Sequence, residues 1–210
     1  MVGKEGDMNP PKGFKDFLPR EQIVRNEIRS VVVSMFERHG FDPMETPAIE
    51  YESLLKAKYA GGSEITKQIY QVRDRAGRSL ALKYDQTVPL SRVYAANPQL
   101  GKPFKIYQID RAWRDEFGTR DREFWQCDLD ILGTNNILAD FEILEVNYEI
   151  FKQLGLKVTI KINNRKLLNG LLVDFGVPEK QTSGILLSLD KLDKIGYEGV
   201  LKDAVQRGIS

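Results

Sequence analysis

Between Phe104 and Leu132 two alternating runs, Phe104 to Arg114 and Glu123 to Leu132, flank the short polar segment Asp115 to Arg122. No other feature restricts the fold as much. Runs of ten residues or more with side-chain period two are long strands, and a connection this short makes them neighbours in one sheet. Alternation divides the second run into two faces. Trp125, Cys127, Leu129 and Ile131 form an apolar face, expected to be core, with Cys127 buried and inert. Phe124, Gln126, Asp128 and Asp130 form the other face, an aromatic, an amide and two carboxylates in a row. Two readings fit that face: a solvated outer surface with one exposed ring, or the lining of a cavity in which each polar group finds a partner.

The connecting segment adds charge beside the polar face. Arg114, Glu116, Arg120 and Arg122 cluster within and next to one turn. Guanidinium forks suit phosphate oxygens, an aromatic plane suits a base, and a carboxylate suits an amine or a metal. A loop of alternating charge is also what a solvated turn looks like. A third polar group, Asp85-Gln86-Thr87, stands where a strand ending at Tyr84 turns into a helix. Its carboxylate and hydroxyl could grip a ligand ammonium, or simply cap the helix that follows.

The rest of the chain is mixed. Residues 1–12 are polar and proline-bearing and read as a mobile leader. Val24, Ile28, Val31, Val32, Met35 and Phe36 recur at helical spacing and predict one amphipathic helix from Glu21 to His39, closed by Gly40. Phe41 to Ile49, with Pro43 and Pro47, suits an edge strand or an extended interface segment. A hairpin is expected from Gln68 to Val72 and Ser79 to Tyr84 around a charged turn, and a helix over Thr87 to Ala96, ended by Asn97-Pro98. Further helices are expected near Asn136 to Leu154, Arg165 to Phe175 and Lys180 to Leu192. Val158, Ile160 and Ile162 alternate as one more strand. Strands and helices in this order favour an α+β fold with an antiparallel sheet flanked by helices.

Composition limits the chemistry. With 210 residues, 41% hydrophobic and 29% charged, the chain can bury a core and is not disordered. No apolar run is long enough to span a bilayer, and the N-terminus lacks a signal-like apolar stretch, so a cytoplasmic location is the default. Cys127 and His39 are the only residues of their types, which excludes an intrachain disulfide, a cysteine zinc cluster and multi-histidine sites; no metal-ligand set is expected. The formal charge of +1 shows no overall nucleic-acid footprint.

Several separate segments together resemble the class II aminoacyl-tRNA synthetases, and within them the histidyl-tRNA synthetases. Gly40-Phe41 with Met44-Glu45-Thr46-Pro47-Ala48-Ile49 resembles motif 1, which builds the family dimer interface. Phe104 to Gly133 resembles motif 2. Pro11-Lys12-Gly13-Phe14-Lys15-Asp16-Phe17-Leu18-Pro19, Tyr84-Asp85-Gln86-Thr87-Val88-Pro89 and Arg122-Glu123-Phe124-Trp125-Gln126-Cys127-Asp128-Leu129-Asp130 resemble the histidine-specific segments, as do Asn163 to Leu168 and Asp190 to Gly196.

The resemblance implies the N-terminal portion, residues 13–210, of a class II catalytic domain, activating L-histidine with ATP and transferring it to tRNA(His). Arg114 would bind the α-phosphate and hold the charge that develops there. Glu116 and Arg122 would contact the nucleotide, and Phe124 would stack on adenine. Asp85, Gln86, Thr87, Gln126 and Asp130 would form the histidine site, and Mg2+ would bridge phosphates. A homodimer through the motif 1 region is expected, and no membrane. Three departures stand out. The chain ends before motif 3 and the anticodon-binding domain, so incomplete activity and doubtful tRNA binding are expected of it alone. The Asp115 to Arg122 loop is shorter than usual. Lys83 stands where the family more often has arginine. Two other functions compete: a non-charging paralogue that senses histidine as a regulatory subunit of histidine biosynthesis, and an interaction module that keeps only the motif 1 surface.

Overall fold

The computed structural model describes residues 8–57, 64–115 and 121–208. The chain divides into two compact units, one up to Val158 and one from Thr159 onward. In the first, helix α1 (Pro19–Arg38) opens with proline in its first turn, where a missing N–H costs nothing. It closes at Gly40, whose φ of 72° is open to glycine at little cost. There the Phe41 N–H donates to the Phe36 carbonyl at 3.0 Å and the Gly40 N–H to Glu37 at 3.0 Å, the paired bonds of a Schellman ending. This turn delivers Phe41 into the core beside Phe36.

Strand β1 (Asp42–Pro43) then runs parallel to the edge of a long hairpin, β5 (Phe104–Trp113) and β6 (Glu123–Leu132), giving the order β1-β5-β6. Proline is tolerated in β1 because it lies at the sheet edge. The β5–β6 ladder is antiparallel with Phe104 opposite Leu132 and Trp113 opposite Glu123. A second sheet, in the order β2-β4-β3, joins β2 (Ile49–Tyr51), β3 (Gln71–Arg73) and β4 (Ser79–Leu82). Just past β4, Lys83 ties the two sheets together: its N–H donates to Ala48, and its carbonyl accepts from the Trp113 N–H, both at 3.0 Å. Helix α2 (Glu52–Ala57) packs on β4, and helix α3 (Thr87–Ala96) follows directly from the sheet.

One face of β5–β6 carries Tyr107, Ile109, Leu129 and Ile131 against α1 and α4 (Ile137–Gln153). Val32, Met35, Phe36, Val146 and Ile150 close this core. The apolar stripe of α1 is only partly used: Val24 and Ile28 stay exposed, and Val31 is half-buried. The expectation for Cys127 is corrected. It lies on the apolar face but is exposed, because the core beneath α1 and α4 covers Leu129 and Ile131 and leaves Trp125 and Cys127 along an open groove with Ile28 and Val32.

The second unit holds helices α5 (Arg165–Asp174), α6 (Glu179–Leu189) and α7 (Leu192–Gln206). The expected strand at Val158, Ile160 and Ile162 does not form. Those residues make no ladder in the described structure, and Ile162 is 72% exposed. Alternation marks a chain able to present two faces, but a strand exists only where a neighbour takes its hydrogen bonds. Helix α7 was not anticipated. Its pattern is broken at Gly196, where φ of 68° puts a kink inside the helix. Ser188 Oγ, Lys191 Nζ and Arg207 Nε all donate to the Asp203 carboxylate at 2.8 Å, joining α6 to α7.

Candidate functional site

Register decides what shares the polar face of the hairpin. Phe124 stands opposite Ala112, Gln126 opposite Asp110, Asp128 opposite Gln108, and Asp130 opposite Ile106. Ala112, opposite Phe124, is fully buried and small. The Arg114 guanidinium lies 4.9 Å from the centre of that ring, a cation–π pair. Its Nε donates to the Tyr84 carbonyl at 3.0 Å, which fixes the fork beside the residue that precedes Asp85.

Arg122 is placed by its backbone. Its N–H donates to the Gly13 carbonyl at 2.7 Å and its carbonyl accepts from Arg114 at 2.9 Å, while its side chain pairs with Asp115 at 3.2 Å. A Cβ added at Gly13 would lie 2.5 Å from Arg122 Cγ, and φ there is 85°. The early segment therefore docks against the arginine through a glycine, a contact that sequence reasoning missed. Glu116 and Arg120 lie outside the described residues.

Asp85 does what a helix cap does: its Oδ1 accepts from the Val88 N–H at 3.1 Å. It also lies close enough to the hairpin that its charge acts on Asp128 and Asp130. Both readings of this residue hold at once. Thr87 is half-buried at the start of α3. Gln86 is fully buried and donates through Nε2 to the Arg111 carbonyl at 3.2 Å, leaving its Oε1 without a partner. The Oε1 of Gln126 and the Oδ2 of Asp130 are likewise buried and unpaired.

Lys83, the departure noted from sequence, is fully buried beneath this face. Its ammonium donates to the Thr46 carbonyl at 3.1 Å, Thr46 Oγ1 at 3.2 Å and Asp110 Oδ2 at 2.7 Å. Three donors meet three acceptors, so a compact cation is satisfied where a planar fork would have no advantage.

The carboxylates are poised away from their ordinary range. Burial, then the charges of Asp130 and Asp85, push Asp128 up to about 6, against a smaller opposing pull from Arg114. Burial and Asp85 also raise Asp130. On the opposite face, partial desolvation by the groove walls and the charge of Asp128 raise the Cys127 thiol although the residue is exposed, which leaves little reactive thiolate. No group of three or more His, Cys, Asp or Glu side chains among the described residues is placed to hold a metal ion.

The arrangement is a cation on an aromatic plane at one end and a cluster of acceptors and carboxylates at the other, on one strand face. The histidyl-tRNA synthetase sequence profile matches residues 13–207. The chain belongs to that family. Histidine–tRNA ligase 1 of Bacillus cereus is 47% identical over 207 residues, covering 97% of this chain and 47% of the relative. A histidyl-tRNA synthetase from Nostoc superposes with a TM-score of 0.80 at 33% identity, over 96% of this chain and 46% of that one. A Bacillus halodurans protein described as an ATP phosphoribosyltransferase regulatory subunit/histidyl-tRNA synthetase shares the fold, with a TM-score of 0.66 at 23% identity, over 74% of this chain and 40% of that one. The chain thus spans about half the length of the relatives it matches. The α+β architecture expected from sequence is the family's own. No helix among the described residues is long and apolar enough to cross a membrane.

Proposed function

We propose that residues 13–210 form the N-terminal part of a histidine-activating catalytic domain, in which the histidine carboxylate attacks the α-phosphorus of ATP and pyrophosphate leaves. The observation that carries this is the arrangement on one strand face: Arg114 over the Phe124 ring, with Gln126 and Asp130 further along and Asp85 beside them. Arg114 holds the charge that develops at the α-phosphate, and preorganisation by the Tyr84 carbonyl lets it do so without moving. Phe124 stacks on adenine, while Arg122 and Glu116 contact the nucleotide. Asp85 and Thr87 take the α-ammonium, and Gln126 and Asp130 face the rest of the amino acid, with Gln86 behind them. The described residues offer no carboxylate cage for Mg2+, so the ion belongs with the nucleotide's phosphates and no step is assigned to it.

Transfer to tRNA(His) is proposed for the activity of which this chain supplies part, in the cytoplasm. A homodimer is proposed through the motif 1 region, where Val24 and Ile28 of α1 and Ile49 and Tyr51 of β2 lie exposed. Against the regulatory-subunit reading stands the Arg114–Phe124 pair, which a histidine sensor does not need.

Calorimetry with ATP and with L-histidine tests the reading, together with histidine-dependent ATP–pyrophosphate exchange by this chain alone. Binding of both ligands, with exchange slow or absent, is expected. Histidine binding without ATP binding points to the regulatory subunit; binding of neither ends the proposal.

A further inference from the structure

Between Gln126 and Asp130 on the same strand face stands Asp128, to which the roles above give no task. Its neighbour across the ladder is Gln108, which is 1% exposed. Side chains directly opposite in an antiparallel pair stand about 5 Å apart at Cβ. Gln108 Nε2 donates to the Gln86 carbonyl at 3.3 Å. A carbonyl can only accept, so this bond fixes the amide orientation and leaves Gln108 Oε1 buried with no partner. With Gln126 Oε1 and Asp130 Oδ2, three buried acceptors on one face lack donors.

The charges around Asp128 lean the same way. Asp130 on its own strand and Asp85 before α3 are negative, and Arg114 at the end of β5 is the cation that opposes them. Lys83 is committed to Asp110 and Thr46. Buried acceptors without donors are costly to leave unmade, so the ligand that completes this face must bring N–H groups at more than one point. L-Histidine does so, with an α-ammonium at one end and a ring N–H at the other.

Resting on the histidine-activation reading, we propose that Asp128, backed by Gln108, is a specificity-determining contact that accepts a ring N–H of the amino-acid ligand while Asp85 takes the α-ammonium. Burial and the neighbouring carboxylates push Asp128 up to about 6, so a ligand N–H donor at this position relieves an unfavourable charge. Before ligand arrives, the same carboxylate repels its neighbours. A carboxylate whose pKa rises on folding holds its proton more tightly when folded, so it destabilises the apo protein above about pH 6 and has no such effect below about pH 4.

The test compares the full chain with Asp128→Asn, titrated at pH 7 with L-histidine and with its two ring N-methylated analogues, and melted between pH 4 and 8. The variant should bind L-histidine about tenfold to a hundredfold more weakly, because a charge-assisted acceptor is lost. It should also lose about tenfold of its preference over the analogue methylated at the contacted nitrogen. Without ligand it should melt about 2–4 °C higher at pH 7 and unchanged at pH 4. Gln108→Leu, which removes the acceptor beside it, should erode the same preference. Equal affinity and preference in wild type and Asp128→Asn overturns this contact and leaves histidine activation standing. A lower melting temperature at pH 7 overturns it too, by making the carboxylate structural. Failure of the wild type to bind L-histidine overturns both proposals together.

Discussion

Lys83 has no exposed surface, yet its charge is matched on every side by Thr46 and Asp110. Replacing it with methionine keeps the stem and deletes the cation, leaving a partly buried Asp110 carboxylate without its partner. Removing one member of a buried pair is the costly way to break it. Lys83→Met should lower unfolding free energy by about 2–3 kcal/mol, read from urea denaturation, and adding Asp110→Asn should recover part of the loss. A substitution at Gly13 works through geometry instead. Alanine there meets Arg122 Cγ at 2.5 Å in a left-handed backbone, a conformation costing about 1–2 kcal/mol for an L-residue. Gly13→Ala should weaken ATP binding about tenfold in calorimetry, since an arginine displaced from its phosphates loses a charge-assisted bond, and the backbone strain should lower the thermal midpoint by a few degrees. Neither effect is legible in the sequence. Alternation placed Phe124, Gln126 and Asp130 on one face, but Gln108 and Asp110 joined them only through register. The Gly13 contact spans more than a hundred residues of chain.

Elements are most legible where a physical stop signal sits at the end of a strong period. Helix α3 runs from Thr87 to Ala96 as expected, because Asp85 caps its start and Pro98 follows its end. Strand β6 spans Glu123 to Leu132 as the alternation predicts. Period alone fails in two ways. At Val158 to Ile162 it is present without a neighbouring strand to pair with. At Trp125 and Cys127 it names a face but not the extent of the layer that covers it. What holds α1 to the hairpin is narrow: Phe36 is 2% exposed and packs on Tyr107 with ring centres 5.2 Å apart. Phe36→Ala should cost about 3–5 kcal/mol through lost transfer energy and the cavity left behind. Because Phe36 also receives the Phe41 N–H at the helix ending, hydrogen exchange should accelerate at Phe41 as well as along the last turn of α1.

At the scale of the whole chain, acid should act on the two units in opposite directions. In the unit ending at Val158, Asp128 titrates at about 6, so acidification from pH 7 to 4 relieves its repulsion and stabilises the fold. In the unit from Thr159 onward, hydrogen bonds from Lys191, Arg207 and Ser188 hold Asp203 far below the usual carboxylate range. A depressed carboxylate contributes stability that is complete above its unfolded value of 3.8 and is lost as pH falls through the folded value. The helical unit should therefore weaken below about pH 4 while the sheet unit does not lose stability through Asp128. Two probes separate them, because both tryptophans, Trp113 and Trp125, belong to the first unit. Tryptophan fluorescence then reports the sheet unit alone, and helical circular dichroism reports both. Below about pH 4 the dichroism transition should split, with an early helical loss that fluorescence does not follow. Asp203→Asn should weaken the helical unit already at pH 7 and remove the early, pH-dependent loss, because the amide does not titrate. Coincident transitions at pH 3 by both probes would show that the two units unfold as one, and that the Asp203 node does not set the acid limit of the helical part.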